Sequence, residues 1–120
     1  MTGVQTCALP IYGEAPGYGI SVTGGHVYRG KALPGLTGIY IFADWAMSWA
    51  GNKHGLYAGI RDNPETWTMQ VLPGAKTPGG VDQWVVGFGQ DHQGEIYVLT
   101  NAGKGPSGKK GAIWKIVPGK

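Results

Sequence analysis

The amino-acid sequence predicts an all-β chain: about two antiparallel blades, of four and three strands, from an incomplete β-propeller ring. Three observations point there. Gly 23 and Pro 8 make up about a quarter of the 120 residues, so helix-breaking residues recur too often for a helix of ordinary length. No segment sustains a 3.6-residue apolar period, whereas short apolar runs bounded by turn residues recur throughout. Five Trp, six Tyr and two Phe set the chain apart from Gly/Pro-rich disorder, which is poor in aromatics.

The elements follow in order. Ile20-Ser21-Val22 leads through a Gly24-Gly25 turn into a strand over residues 26–29, and residues 33–38, Leu-Pro-Gly-Leu-Thr-Gly, read as a turn. Residues 39–45 form the most apolar strand, and 55–60 the next. Asp62-Asn63-Pro64-Glu65 is a turn, because the residue before proline is pushed out of the helical region. Residues 66–72 alternate with period two, placing Trp67, Met69 and Val71 on one face and Thr66, Thr68 and Gln70 on the other. A Pro/Gly loop at 73–80 precedes strands at 84–88, 95–100 and 112–117, with a polar loop at 101–111. Gly25-His26-Val27-Tyr28 followed by Gly38-Ile39-Tyr40 is echoed by Gly94-Glu95-Ile96-Tyr97 followed by Gly111-Ala112-Ile113-Trp114. Repetition of a glycine turn, a strand and an aromatic is how propeller blades look in sequence. Such a pair of blades has open strand edges and requires the missing blades for stability; a self-sufficient small β-domain is the opposing reading, and cooperative unfolding of residues 12–120 alone distinguishes them.

Residues 1–11, Met-Thr-Gly-Val-Gln-Thr-Cys-Ala-Leu-Pro-Ile, carry no charge and lack the basic start and apolar run of a secretory signal. They resemble the translated remnant of a sequencing adapter, so the native domain is expected over 12–120. Cys7 is the single cysteine, which excludes an internal disulfide and a cysteine-built zinc site. No apolar stretch reaches 18 residues, so no membrane span is expected. Five of the ten basic residues lie from Lys104 onward. No aromatic–basic interleaving accompanies them, and nucleic acid is not an expected partner.

Most local constellations fail their chemical requirements. Gly103 to Lys110 nearly matches a phosphate-cradling loop, but Lys110 stands where a magnesium-binding hydroxyl is needed and a strand, not a helix, follows. His26, His54 and His92 are dispersed and read as structural or surface residues, so no metal site is expected. No Ser-His-Asp set or carboxylate pair can be argued from spacing, and no catalytic residue is assigned. Asp44 ends an apolar strand, where a carboxylate is a turn cap or, facing a cleft, a ligand contact. Arg29, Asp44 and Trp45 are the candidate cleft-facing residues. Trp45 and Trp49 have rings able to stack on sugar faces, with core packing the favoured reading of Trp45.

A family resemblance extends over roughly a hundred residues. It is carried by the runs 23–30 (Thr-Gly-Gly-His-Val-Tyr-Arg-Gly), 32–45 (Ala-Leu-Pro-Gly-Leu-Thr-Gly-Ile-Tyr-Ile-Phe-Ala-Asp-Trp), 86–100 (Val-Gly-Phe-Gly-Gln-Asp-His-Gln-Gly-Glu-Ile-Tyr-Val-Leu-Thr) and the closing Gly105-Pro106-Ser107-Gly108, Gly111 and Ile113-Trp114-Lys115-Ile116-Val117-Pro118. In order and spacing these resemble the C-terminal part of the glucose/sorbosone dehydrogenase family, six-bladed propellers that use pyrroloquinoline quinone (PQQ). The resemblance implies a piece of a sugar oxidoreductase, inactive alone, whose parent binds PQQ and calcium, oxidises an aldose at C1 and is periplasmic or extracellular. The family's base and calcium ligands belong to earlier blades and have no counterpart here. Ala46 sits where members carry a PQQ-contacting Lys, and Trp84 and Val86 occupy the region of an Arg pair; neither aliphatic nor indole groups neutralise the quinone's carboxylates. The alternative is a non-catalytic propeller module binding carbohydrate or protein.

Overall fold

A computed structural model describes residues 21–45, 55–72, 83–103 and 107–119. Seven strands build two antiparallel sheets: β1 (Val22–Val27), β2 (Tyr40–Asp44), β3 (Gly55–Asn63) and β4 (Thr66–Val71) in one, β5 (Trp84–Gln90), β6 (Ile96–Asn101) and β7 (Gly111–Lys115) in the other. Each sheet is a meander, ordered β1-β2-β3-β4 and β5-β6-β7. The four-plus-three partition expected from the alternation is the one observed, and it is consistent with two partial propeller blades. The residues 1–11, the loop 73–80, Ala46, Trp49 and His54 lie outside the described residues.

Register explains which faces are apolar. Tyr40 to Asp44 pair with Gly59 to Gly55 without a break, so Ile41 and Ala43 share one face with Leu56 and Ala58. That face meets β5 and β6, and Tyr28, Ile41, Ala43, Leu56, Ala58, Leu72, Val85, Ile96 and Val98 form the core between the sheets. Burying each such Val, Leu or Ile contributes about 1.5–3 kcal/mol. On the opposite face of the first sheet, Phe42 and Tyr57 are buried with Tyr40 and Met69 against them. The Tyr40–Phe42 and Phe42–Tyr57 ring centroids are each 5.5 Å apart. Along β4, Trp67 and Met69 are half-buried and Thr66, Thr68 and Gln70 are exposed, as the alternation requires, but Val71 on the apolar face is 60% exposed.

Two local readings change. Gly24-Gly25 is not a turn: β1 runs through it, with a bulge between Thr23 and His26. A Cβ on Gly25 would lie 1.7 Å from the Ile41 carbonyl oxygen, so glycine there serves close strand approach. The next hairpin is tighter than residues 62–65 suggested. β3 extends to Asn63, and the Asn63 side-chain oxygen accepts bonds from the Glu65 and Thr66 N–H groups at 2.9 and 3.0 Å, an Asx-type turn.

The turns at Gly38 and Gly94 match each other in a register other than that of the echo read from Gly25. The Tyr28 N–H bonds the Ile39 carbonyl and the Gly38 N–H bonds the Tyr28 carbonyl, both at 2.9 Å. The Asp91 N–H bonds the Glu95 carbonyl at 3.1 Å, and the Gly94 N–H bonds the Asp91 carbonyl at 3.0 Å. Gly38 and Gly94 share φ +83°, a conformation that favours glycine. The equivalent of Gly94 is therefore Gly38, not Gly25. No helix among the described residues is long and apolar enough to cross a membrane.

Candidate functional site

The Asp44-Trp45 pair lies at one end of β2. Asp44 is buried, and its carboxylate oxygens accept the Ser21 N–H at 3.1 and 3.3 Å. The Trp45 N–H donates to the Ser21 carbonyl at 2.7 Å. Together these bonds pin the residue before β1 to the end of β2. The half-buried Trp45 ring stacks on Trp84 at 4.6 Å between centroids, bridging the two sheets. Arg29 is exposed and follows β1 at the opposite end, because Val27 pairs with Tyr40 whereas Val22 pairs with Asp44. The length of β2 separates the two ends by about 13 Å at roughly 3.3 Å per residue. The structure thus brings Asp44 and Trp45 together and leaves Arg29 apart.

Among the described residues, the densest polar cluster is one that sequence reasoning missed. It lies where the loop after β1 meets the turn between β5 and β6. Glu95 is only 5% exposed. One carboxylate oxygen accepts the Lys31 and Ala32 N–H groups at 3.0 and 3.1 Å, and the other accepts the Tyr28 hydroxyl at 2.8 Å. The Tyr28 oxygen in turn accepts the Leu33 N–H at 2.8 Å. Asp91, four residues earlier, accepts the Gln93 and Glu95 N–H groups at 2.9 and 3.0 Å and the Tyr97 hydroxyl at 3.2 Å. The only sequence signal was a carboxylate, Glu95, set between a turn glycine and the apolar start of β6.

Electrostatics follow from these partners. The Ala32 N–H, then the Tyr28 hydroxyl, hold the Glu95 carboxyl below the usual carboxylate range, outweighing burial. Burial, with the bond to Glu95 behind it, pushes the Tyr28 hydroxyl up. For Asp91, burial acts upward, but the Glu95 and Gln93 N–H groups and the Tyr97 hydroxyl overcome it and the pKa falls. An ionised carboxylate whose oxygens are both occupied and whose pKa is depressed is a poor proton acceptor near neutrality. The cluster is built to hold chain segments together.

Glycines make the fit possible. A Cβ on Gly30 would lie 2.5 Å from the Glu95 carboxylate, and one on Gly94 would lie 2.7 Å from the Arg29 carbonyl carbon. The Gln90 amide donates to the Val27 carbonyl at 3.2 Å and the Thr23 hydroxyl to the Val85 carbonyl at 3.4 Å. These contacts form one seam from β1 to β5. Among the described residues, no buried side-chain nitrogen or oxygen lacks a hydrogen bond, and no three His, Cys, Asp or Glu gather where they could hold a metal ion. His26 is half-buried and His92 exposed.

PQQ and calcium were expected only through the dehydrogenase resemblance. Trp84 is buried against Trp45, and Val86 is 53% exposed. Neither offers a cation to the carboxylates of the quinone, so these two described positions do not suit PQQ.

Comparison with known proteins gives a different set of relatives. The chain is 31% identical over 101 residues to Hedgehog-interacting protein of Mus musculus, a match covering 80% of this chain and 13% of that protein. The Homo sapiens Hedgehog-interacting protein is 29% identical over 101 residues, with the same coverage. HIPL1 protein of Arabidopsis thaliana is 29% identical over 103 residues, 75% of this chain and 14% of that protein. The chain therefore spans about one seventh of the length of these relatives or less. No family model matches, and no solved structure matches. The glucose/sorbosone dehydrogenase assignment, with its oxidoreductase, quinoprotein and sugar-substrate implications, is corrected accordingly. The physical reason lies in the seam: Val27, Arg29, Gly30, Gln90, Gly94 and Glu95, drawn from the runs that carried that resemblance, dock one sheet on the other. Those runs encode blade stacking, and what they leave is a chain similar over most of its length to Hedgehog-interacting protein and HIPL1.

Proposed function

We propose that the two sheets are part of a β-propeller module that binds a protein partner and performs no catalysis. The observation that carries this reading is the 101-residue similarity to a protein whose name states that it interacts with Hedgehog. The chemistry of the seam supports it, since Glu95 and Asp91 are occupied by hydrogen bonds that hold the sheets and neither is poised for proton transfer. An exported setting goes with this reading, checked by locating the protein in periplasmic or extracellular fractions of its source cells. The functional test is interferometry of the 120-residue chain against an immobilised Hedgehog protein. The expected result is saturable, reversible binding; no response up to about 100 µM chain, below any useful specific affinity, overturns the proposal.

A further inference from the structure

The turns at one end of the two sheets form a cationic surface already held in shape, and we infer that it docks an acidic segment of a partner protein, with Arg29 and Lys31 as the contacting cations. This deepens the protein-binding reading, on which the choice of a protein as partner rests. It is carried by where the turns lie, where their carboxylates point and which charges are left outside.

The turns come first. Val27 pairs with Tyr40, and its carbonyl accepts the Gln90 amide. β1 and β5 therefore end, and β2 begins, at the same end of the molecule. Gathered there are the loop 28–39 and the turn 91–95, both described throughout. Further strands and sheets add along edges and faces, whereas the connections at strand ends stay at the surface. The exposure of this end therefore holds whatever packs beside the sheets. The loop and the turn are strapped together: the Lys31 and Ala32 N–H groups reach the Glu95 carboxylate at 3.0 and 3.1 Å. A Cβ on Gly30 would meet that carboxylate at 2.5 Å, and one on Gly94 would meet the Arg29 backbone at 2.7 Å. A surface fixed in this way loses little entropy when a partner docks.

Charge selects the partner. The carboxylates of the turn are spent inward: Glu95 on the Tyr28 hydroxyl and two N–H groups, Asp91 on two N–H groups and the Tyr97 hydroxyl. Arg29, Lys31, His92 and Lys115 are exposed. Among the described residues, neither the Arg29 guanidinium nor the Lys31 ammonium has a hydrogen-bond or ion-pair partner. Lys115 pairs with Tyr97, on the face of β6 turned away from Ile96 and Val98, and holds its ammonium 5.7 Å from the centre of the Tyr97 ring. Cations thus flank the turn on both sides. The exposed acids of this end, Asp62 and Glu65, belong to the β3–β4 hairpin, two or more strands from β1, or at least about 10 Å away. A short acidic segment lying over the turn meets Arg29 and Lys31 without reaching them. A carboxylate paired with the Arg29 guanidinium supplies orientation as well as attraction. Nucleic acid draws its affinity from many phosphate contacts, and a patch this small suits a few Asp or Glu residues instead.

The test uses the 120-residue chain and a fluorescein-labelled peptide, Gly-Asp-Glu-Asp-Gly-Glu-Asp, read by anisotropy at low salt and by amide resonances. The expected result is saturable binding that shifts the Arg29, Lys31 and His92 amides and leaves the Lys110 amide unmoved. Joint reversal of Arg29 and Lys31 to Glu weakens binding about tenfold or more. The urea midpoint is kept, because neither side chain holds the fold. Arg29→Lys together with Lys31→Arg binds within about threefold. Joint reversal of the exposed Lys109 and Lys110 to Glu is the control. It makes the same change in net charge at the other end of the second sheet, next to the Gly111–Asn101 pair, and leaves binding within about threefold. No peptide binding, or equal weakening by the two reversals, overturns the docking surface. If a Hedgehog protein binds the chain and reversal of Arg29 and Lys31 leaves that binding unchanged, the surface proposal falls while the protein-binding reading stands. Peptide binding of the expected pattern without Hedgehog binding upholds the surface and overturns the proposed function; if neither binds, both fall.

Discussion

Replacing Tyr28 by Phe removes a single oxygen atom, and with it the middle of the chain of bonds Leu33–Tyr28–Glu95. Tyr28 is completely buried, so water does not take the place of the hydroxyl. Two bonds are lost. The hydroxyl's 2.8 Å donation to the Glu95 carboxylate is charge-assisted, a class worth about 1.5–3 kcal/mol. The 2.8 Å bond accepted from the Leu33 N–H is neutral and at a half-buried residue, worth about 0.5–1.5 kcal/mol. Tyr28→Phe should therefore destabilise the fold by roughly 2–4 kcal/mol, a factor of roughly 30 to 1,000 in the unfolding constant. Urea unfolding followed by circular dichroism should show a midpoint lower by about 1 M or more for an m-value near 2 kcal/mol/M. Tyr40→Phe is the control: its hydroxyl accepts one long bond, 3.3 Å from the Gly25 N–H, and its loss should cost under about 1 kcal/mol. The penalty at Tyr28 should also shrink in acid, because the bond is strong only while Glu95 is ionised. Equal midpoints for the two variants, or a Tyr28→Phe penalty independent of pH, would refute the reasoning.

Three further outcomes follow from the same seam and core. Glu95 has a depressed pKa in the fold, so its contribution is present above the ordinary carboxylate value and is lost as pH falls through the folded value. Glu95→Gln should flatten the acid limb of a stability–pH curve, leaving the part that Asp91, also depressed, supplies. At the alkaline end the raised pKa of Tyr28 keeps its contribution below pH 10 and removes it as pH climbs through the folded value, a limb that Tyr28→Phe should abolish. Gly94→Ala should cost more than Gly38→Ala, by about 1–3 kcal/mol in thermal unfolding; both have φ +83°, but a Cβ at 94 meets the Arg29 backbone at 2.7 Å and one at 38 meets nothing. Val98→Ala, fully buried, should destabilise by about 2–3 kcal/mol, and Ile113→Ala, 71% exposed, by no more than about 0.5 kcal/mol.

What the chain reveals in one dimension is its hairpins. Period-two alternation in residues 66–71 and the turn signal at Asn63-Pro64 are local, and they located β3, β4 and the turn between them to within a few residues. Glycine was ambiguous, since Gly25 answers a close approach of strands and Gly38 a backbone turn, and the residue letter is the same. The seam was hidden for a different reason. Tyr28 and Glu95 are 67 positions apart, and nothing in either neighbourhood announces the other. Asp44 and Trp45 drew attention because they close an apolar run, yet their partners, Ser21 and Trp84, are distant as well. The dehydrogenase resemblance rested on the order and spacing of such runs, which hold strands and sheets together and carry no chemistry of their own.

The separation of Tyr28 from Glu95 also has a meaning in time. The β3–β4 and β5–β6 hairpins close over two and five residues and form on a microsecond scale, whereas the bond between these two side chains closes a loop of 67 positions and pays its chain entropy only once the loop is drawn in. The expected order of events is meander first, docking last. A seam formed after the rate-limiting barrier contributes to the lifetime of the native state and little to the speed of reaching it. Weakening it at Tyr28 would leave refolding rates nearly unchanged and quicken unfolding, so the two sheets would come apart as preformed units before either lost its strands.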